Sequence, residues 1–336
     1  MSKKIVSIIG ATGYTGLELI RLLATHPNTE LKYVTSESHT GQKLCDIWPH
    51  LNGICELTLS NTPLEKIAKE SDCVFLALPH LQSQKIVKKL LGKTKIIDLS
   101  ADFRLKDPLQ FKQAYGVEHT LIEAQGEFVY GVPEFTKSEI AEAQNIANPG
   151  CFAIAVELAL YPIKEMIDSV YVQGITGSSG SGKSPGNGTH HPIRNHNVKS
   201  YRIGSHQHEV EIIQELNLSS NQFVLVPTSG PFVRGIHITA FLDLKTTSKK
   251  GKIFELFKKS YKNSPFIRIK PEVQIADVVG SNYCDISINF CGGKIVVQAV
   301  IDNLVKGASG NAIQNFNLMF GFEEVTGLKS LTPLFP

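Results

Sequence analysis

No stretch of this sequence is apolar for long enough to cross a bilayer. Its first residues, Met1-Ser2-Lys3-Lys4, lead into a short β-branched run with no long hydrophobic segment of a secretory signal. Both absences point to a cytoplasmic protein with no membrane partner. Cysteine is sparse: six residues, at 45, 55, 73, 151, 284 and 291, with no CxxC or other metal-binding spacing. Most of them are expected to be reduced, buried small hydrophobes. Neither sign of charge is in excess. The 34 basic against 31 acidic residues leave a net +3, too little to imply nucleic acid but suited to an anionic small molecule. There is no internal repeat and no low-complexity tail. What is present is a chain of 336 residues, 42% hydrophobic, enough for about two domains with sizeable cores.

The most informative residue is Cys151, in the run Asn148-Pro149-Gly150-Cys151-Phe152-Ala153-Ile154. A turn delivers one thiol to the start of an apolar, helix-prone stretch. Helix N-termini carry unpartnered N–H groups and partial positive charge, which favour the thiolate. The pattern is that of a nucleophile.

At the other end of the first domain, Ile5–Ile9 reads as a strand and Leu17–Leu23 as a helix. Between them, Gly10-Ala11-Thr12-Gly13-Tyr14-Thr15-Gly16 reads as a dinucleotide-binding turn. Gly10 permits the turn, Gly13 the approach of a pyrophosphate and Gly16 close helix packing. The alternative is a glycine turn with no ligand. The second strand, Glu30–Thr35, ends in Thr35-Ser36-Glu37-Ser38. Its hydroxyls suit a 2′-phosphate and Glu37 suits a 2′-hydroxyl, so the choice between NADP and NAD stays open.

Further strands at Cys73–Leu78 and Lys95–Leu99 alternate with a helix at Gln82–Leu91. That alternation predicts an α/β, Rossmann-type doubly wound parallel sheet over residues 1–150, completed by a C-terminal helix at 311–336. Residues 151–310 read as an α+β catalytic and dimerisation domain with a mixed or antiparallel sheet. Its predicted strands are Ser169–Ile175, Gln222–Val226, Val233–Leu242, Ile275–Val279, Tyr283–Asn289 and Lys294–Ile301. A Gly/Ser/His-rich loop fills 176–196, and 308–320 reads as a packed helix.

His206 and His208 precede an amphipathic helix and are placed to supply a base and a substrate contact, or else are exposed structural residues. A metal site with His190 and His191 lacks a carboxylate or thiolate at ligand spacing, so no metal is expected. Asp98–Arg104 follows a strand, at the edge where open α/β sheets bind ligands. Arg104 is suited to phosphate or carboxylate, or to a surface pair with Asp102. Arg234 needs an anion, either substrate or a buried carboxylate. His237, two residues into the following apolar run, reads as a packing residue.

Taken together, these segments resemble the N-acetyl-gamma-glutamyl-phosphate reductases, relatives of aspartate-semialdehyde dehydrogenase. The matching pieces are Gly10–Gly16, Ala77–His80, Asp98–Arg104, Tyr130–Glu134, Asn148–Cys151, Gly177–Lys183, His206–His208, Val233–Gly235, Ser281–Asp285 and Asp302–Gly310. Asp98–Arg104 and Asp302–Gly310 are the most specific. The resemblance implies Cys151 as nucleophile, His208 as base, and His206, Arg104, Ser100 and Arg234 on the substrate, with Arg104 holding the acyl phosphate. It implies NADP(H) on Gly10, Thr12, Gly13, Tyr14, Thr15, Gly16, Ser36, Ser38 and Pro79, with Ser179, Gly180 and Asn315 on the nicotinamide side. It also implies a homodimer or homotetramer. Three departures from the family pattern are Glu37 for a frequent arginine, Leu81 for a usual glycine, and no threonine three residues after Cys151.

Two rival readings are a lysine-pathway aminoadipyl-phosphate reductase and a non-catalytic dinucleotide sensor. The first is supported by Thr189-His190-His191-Pro192, and Lys183, Arg194, Lys199 and Arg202 would then meet an acidic carrier protein. The same four residues also suit an ordinary solvated basic face.

Overall fold

The computed structural model describes residues 2–246 and 248–333. The chain divides into two compact units. One comprises the chain up to Lys112, Val117–Pro149 and Ala308–Ser330; the other is built chiefly from Gly150–Gly307.

The first unit holds a six-stranded sheet of β1 (Lys4–Ile9), β2 (Thr29–Thr35), β3 (Cys73–Leu76), β4 (Lys95–Asp98), β5 (Phe128–Tyr130) and β6 (Asn145–Ala147). The order is β2-β1-β3-β4-β6-β5 and every pair is parallel. β1, β3 and β4 are short, apolar and buried, as strands covered on both faces must be. Side chains from Ile9, Val74, Leu76, Ile96 and Phe103 join one core cluster. The strand order reverses direction at β1 and β3, so the turns after β1, β3, β4 and β6 gather at the carboxyl edge of the sheet. Those turns hold Gly10–Gly16, Pro79–His80, Ser100–Arg104 and Asn148–Pro149.

The second unit has seven strands: β7 (Ile167–Thr176), β8 (Lys199–Ser200), β9 (Phe223–Ser229), β10 (Ile236–Leu244), β11 (Ile267–Ile269), β12 (Cys284–Cys291) and β13 (Lys294–Ile301). Their order is β11-β12-β13-β10-β7-β9-β8. β7–β9 and β11–β12 are parallel and the other pairs antiparallel, a mixed sheet. The helix Cys151–Leu160 packs on the row Ile236, Ile238, Ala240 and Leu242 of β10 and on β13. On the opposite face, Phe241 of β10 sits directly across from Tyr171 of β7, and both are exposed.

Several local expectations are corrected. Ile275–Val279 is no strand: Ile275–Asp277 forms one 3₁₀ turn, closed by the Val278 and Val279 N–H groups on the Ile275 carbonyl. A five-residue run, apolar but for Asp277, carries no period long enough to separate a turn from a strand. β10 begins at Ile236, not at Val233, because Gly235 takes φ +114° and breaks the extended run. The 176–196 loop contains a short α-helical turn, His191–Arg194, and 3₁₀ turns at Ser178–Ser181 and Asn187–Thr189. The last helix runs Gly310–Met319 after a π-turn at Val305–Ser309, and Gly321 at φ +68° follows its end. The helix expected over 311–336 is therefore shorter, and residues 334–336 of that expectation lie outside the described residues.

Candidate active site

In the second unit, Cys151 is the first residue of its helix and is partly exposed. Gly150 caps the helix in extended conformation without a side-chain cap, and no acidic residue lies in the first turn. The N–H groups of that turn therefore face the thiol without a competing carboxylate in the same turn. The Gly150 N–H donates to Glu211 Oε2 at 2.9 Å, and Glu211 is fully buried. Glu211 lies one turn beyond His208 on the helix Gln207–Leu216, which packs against the Cys151 helix. One hydrogen bond thus ties the element carrying the base candidate to the cap of the element carrying the nucleophile candidate.

Phe152 follows the cysteine and seats both histidines. Its ring lies 5.6 Å from His206 and 6.4 Å from His208 between centroids, and the two imidazoles are 4.7 Å apart, edge to face. Room for Phe152 comes from Gly174 of β7, where a Cβ would fall 2.4 Å from the ring. From the other side Gly307 closes on the nucleophile: a Cβ there would lie 3.0 Å from Cys151 Cβ.

The two histidines are not equivalent. His206 is the N-cap of its helix, and its Nδ1 accepts the His208 N–H at 3.2 Å. An accepting Nδ1 carries no proton, so the ring is neutral with its proton on Nε2. Burial, helped by the Arg202 charge, pushes His206 down to about 4. A ring so poised takes up no proton near neutrality.

His206 also carries a stability consequence. The unfolded imidazole protonates near pH 6.5 and the folded one only near 4, so stability present above pH 6.5 is lost as the pH falls toward 4. At pH 5 the loss is about 2 kcal/mol. Asp98 opposes it. Burial first and the Asp102 charge second raise its carboxyl to about 6, so the folded state binds that proton more readily than the unfolded state does. His206→Asn keeps an acceptor for the His208 N–H and removes the titration. The expected result, by chemical unfolding, is wild-type stability at pH 7 and a gain of about 2 kcal/mol over wild type at pH 5. Parallel losses in both proteins would exclude His206 as the acid-sensitive group.

The arginines expected on the substrate have partners in the protein. Arg234 lies in the turn before β10 and pairs with both oxygens of the fully buried Asp302, Nε at 3.0 Å and Nη2 at 3.1 Å. Asp302 also accepts the N–H groups of Gly280, Leu304 and Val305. Ser179 donates to the Val233 carbonyl at 2.7 Å and receives Asn303 Nδ2 at 2.9 Å, while Gly180 beside it is exposed. His237 lies on the face of β10 opposite the row packed under the Cys151 helix.

In the first unit, Arg104 is 4% exposed, and it does not form a surface pair with Asp102. Its Nε donates to the Asn148 carbonyl and its Nη2 to the Leu99 carbonyl, each at 2.8 Å. It therefore fastens the β4 turn to the Asn-Pro-Gly turn. Asp102 instead accepts the Leu81 and Gln84 N–H groups, holding Leu81 at φ +71°, where glycine is the easier residue. The Ser100 hydroxyl is buried, donating to Asp98 Oδ2 at 2.7 Å and accepting the Asp102 N–H at 3.1 Å.

The glycine turn has the form a dinucleotide needs. Gly10 takes φ +90°, and a Cβ there would meet the Ala77 carbonyl at 2.4 Å. Gly16 would clash with the Gly10 carbonyl at 2.5 Å. Gly13 has open space beside it and caps the helix Tyr14–Ala24, whose first turn has no acidic residue and no side-chain cap. That opening at a helix N-terminus is the place for a pyrophosphate. The Thr12, Ser36 and Ser38 hydroxyls stand in a chain at 3.3 and 3.5 Å, with Glu37 exposed beside them. Asn315 is fully buried and donates to the Gly131 and Asn148 oxygens, yet its Oδ1 has no partner among the described residues. An acceptor so placed suits an amide donor such as the nicotinamide carboxamide. Among the described residues, no three histidine, cysteine or carboxylate side chains form a metal-binding group, and no helix is long and apolar enough to cross a membrane.

Sequence reasoning missed Glu211, Gly307 and Tyr201. Glu211 reads as one of several acidic residues on an amphipathic helix, and only its spacing of three from His208 marks it.

Comparison with known proteins agrees with this geometry. Residues 5–143 match the semialdehyde dehydrogenase NAD-binding domain family and residues 151–303 the semialdehyde dehydrogenase dimerisation domain family. An N-acetyl-gamma-glutamyl-phosphate reductase of Pelotomaculum thermopropionicum is 42% identical, with 96% of this chain and 97% of that protein covered. One from Archaeoglobus fulgidus is 39% identical, over 98% and 99%. Among solved structures, aspartate semialdehyde dehydrogenase II of Vibrio cholerae, complexed with ASA, superposes with a TM-score of 0.70 at 17% identity, over 96% of this chain and 99% of that one. The Candida albicans enzyme with NADP gives 0.71 at 15%, over 95% and 99%.

Proposed function

The chain belongs to the N-acetyl-gamma-glutamyl-phosphate reductases, within the semialdehyde dehydrogenase family, and on that premise we propose that it reduces N-acetyl-gamma-glutamyl phosphate to N-acetyl-glutamate 5-semialdehyde. The observation that carries the reading is Cys151 at a helix start with no acidic residue in its own first turn, with His208 seated on the neighbouring Phe152. The Cys151 thiolate attacks the acyl carbon, and the C–O bond to phosphate breaks, giving a thioester and free phosphate. Two easier steps replace one hard displacement. The Gly10–Gly16 turn, Ser36 and Ser38 would hold NADP(H), the unpartnered Asn315 Oδ1 would be available to the nicotinamide amide, and the bound cofactor would supply the hydride that reduces the thioester. His208 carries the proton as the C–S bond breaks, releasing aldehyde and thiolate. Residues up to Pro149 with Gly310–Met319 form the dinucleotide domain in this scheme, and Gly150–Gly307 the catalytic one.

The deciding experiment is turnover in the reverse direction with N-acetyl-glutamate 5-semialdehyde and phosphate, with NADP and NAD compared. Phosphate-dependent reduction of NADP supports the reading. No turnover, or turnover indifferent to phosphate, refutes it. An aminoadipate semialdehyde preferred in the same assay would establish the lysine-pathway rival. Binding of NADP without acylation of Cys151 would establish the sensor.

The partner in solution is a second copy, through the sheet face that carries Tyr171 and Phe241. Their exposures of 54% and 48% put two large rings side by side in solvent. Phe241→Lys is expected to convert the sedimenting species from dimer to monomer; an unchanged sedimentation coefficient would place the contact elsewhere.

A further inference from the structure

Between 181 and 200 every residue is exposed except Thr189 and Arg194. Arg194 ends the short helix His191–Arg194, and its side chain turns inward. Its Nη2 donates to the Thr176 carbonyl at 3.3 Å. Its Nε is buried and has no hydrogen-bond partner among the described residues. No carboxylate among the described residues pairs with it, so it contrasts with Arg234 on Asp302 and Arg104 on two carbonyls. A half-buried guanidinium with an unsatisfied N–H is costly to leave without an anion.

Arg194 and the cysteine site share a neighbour, Tyr201. Tyr201 packs on His206 with ring centroids 5.9 Å apart, and its N–H is held by the Pro227 carbonyl at 3.0 Å. Burial first, then the Cys151 charge, push its hydroxyl up to about 12, while the Arg194 and Arg202 charges oppose them. The phenol therefore remains a hydrogen-bond donor at any physiological pH, in the field of both the nucleophile and Arg194.

We propose that Arg194, with the Tyr201 hydroxyl, binds an oxyanion of the substrate beside Cys151. The proposal rests on the acyl-phosphate reading for which oxyanions are offered: the leaving phosphate, or the carboxylate of the tail. A planar fork with a free N–H suits either. Arg194 was grouped with Lys183, Lys199 and Arg202 as a basic face; its inward side chain separates it from the other three.

The test measures Kd for inorganic phosphate and for N-acetyl-L-glutamate by calorimetry, on wild type, Arg194→Gln, Arg194→Lys and Tyr201→Phe. NADP is the control ligand. Arg194→Gln is expected to weaken one of the two anions about tenfold or more, with Arg194→Lys restoring part and NADP unchanged. Weakened phosphate assigns the leaving group to Arg194; weakened N-acetyl-glutamate assigns the tail. Equal anion affinities in wild type and Arg194→Gln, or a parallel loss of NADP affinity, would overturn the proposal. Because these are binding measurements, a wild-type protein inert in the turnover assay would defeat the functional reading while Arg194 was judged separately.

Discussion

Cys151→Ser is expected to lower phosphate-dependent turnover at least about a thousandfold while leaving NADP affinity unchanged. A serine hydroxyl at this position is scarcely ionised at neutral pH, and the helix start that favours a thiolate lacks the strength to generate an alkoxide. No second thiol substitutes. Cys73 is fully buried, and burial holds its thiol far above the ordinary range; Cys55 is raised for the same reason. The substitution is nearly isosteric at a partly exposed site, so folding stability should change by less than about 1 kcal/mol. Mass spectrometry of wild type quenched during turnover should find one acyl group on the peptide containing Cys151. Turnover by Cys151→Ser within tenfold of wild type would remove the thioester from the mechanism.

The second large effect is expected from Glu211, which touches the helix cap and not the reacting atoms in this scheme. Glu211→Ala removes the acceptor of the Gly150 N–H at a fully buried position. Leaving that donor unpaired costs about 1–3 kcal/mol of stability. The larger consequence is misalignment. With the tie between the two helices gone, Cys151 and His208 are free to shift by up to about 1 Å, and an error of that size is worth about a hundredfold in rate. The expected signature is a fall in kcat of about that size with KM for the semialdehyde and NADP within about threefold of wild type. Glu211→Gln keeps an accepting oxygen and should recover most of the rate. A Glu211→Ala enzyme with full kcat would show that the tie is purely structural, and a Glu211→Gln as impaired as Glu211→Ala would show that the negative charge itself is needed.

Which parts of this were legible beforehand follows from the distance over which each signal acts. Strand, glycine turn and helix at 4–24 are written in contiguous residues, and so is the turn that delivers Cys151. Those elements stand where local pattern places them. The partners of the arginines are written nowhere locally. Arg104 and Arg234 look like anion-binding residues in sequence, and nothing near them says that backbone carbonyls 5 and 44 residues away, or a carboxylate 68 residues away, already receive their N–H groups. Glu211 was hidden for the opposite reason: it fits a helical polar face so well that only the fold shows it to be buried. His206 was weighed as a substrate contact, and its role as a cap depends on the backbone angle of one residue.

The close approach of Gly307 to Cys151 also bears on how such a chain is put together. Gly150 and Gly307 are the two ends of the second unit, and the first unit resumes at Ala308. Since Gly307 lies against the side chain next to Gly150, the unit enters and leaves at one spot, in the manner of an insert spliced into a host. Cys151 is the second residue of that segment. Cutting and rejoining the chain there, as circular permutation or domain grafting would do, takes Cys151 out of its setting, so such rearrangement belongs at exposed loop tips and not at this most natural seam.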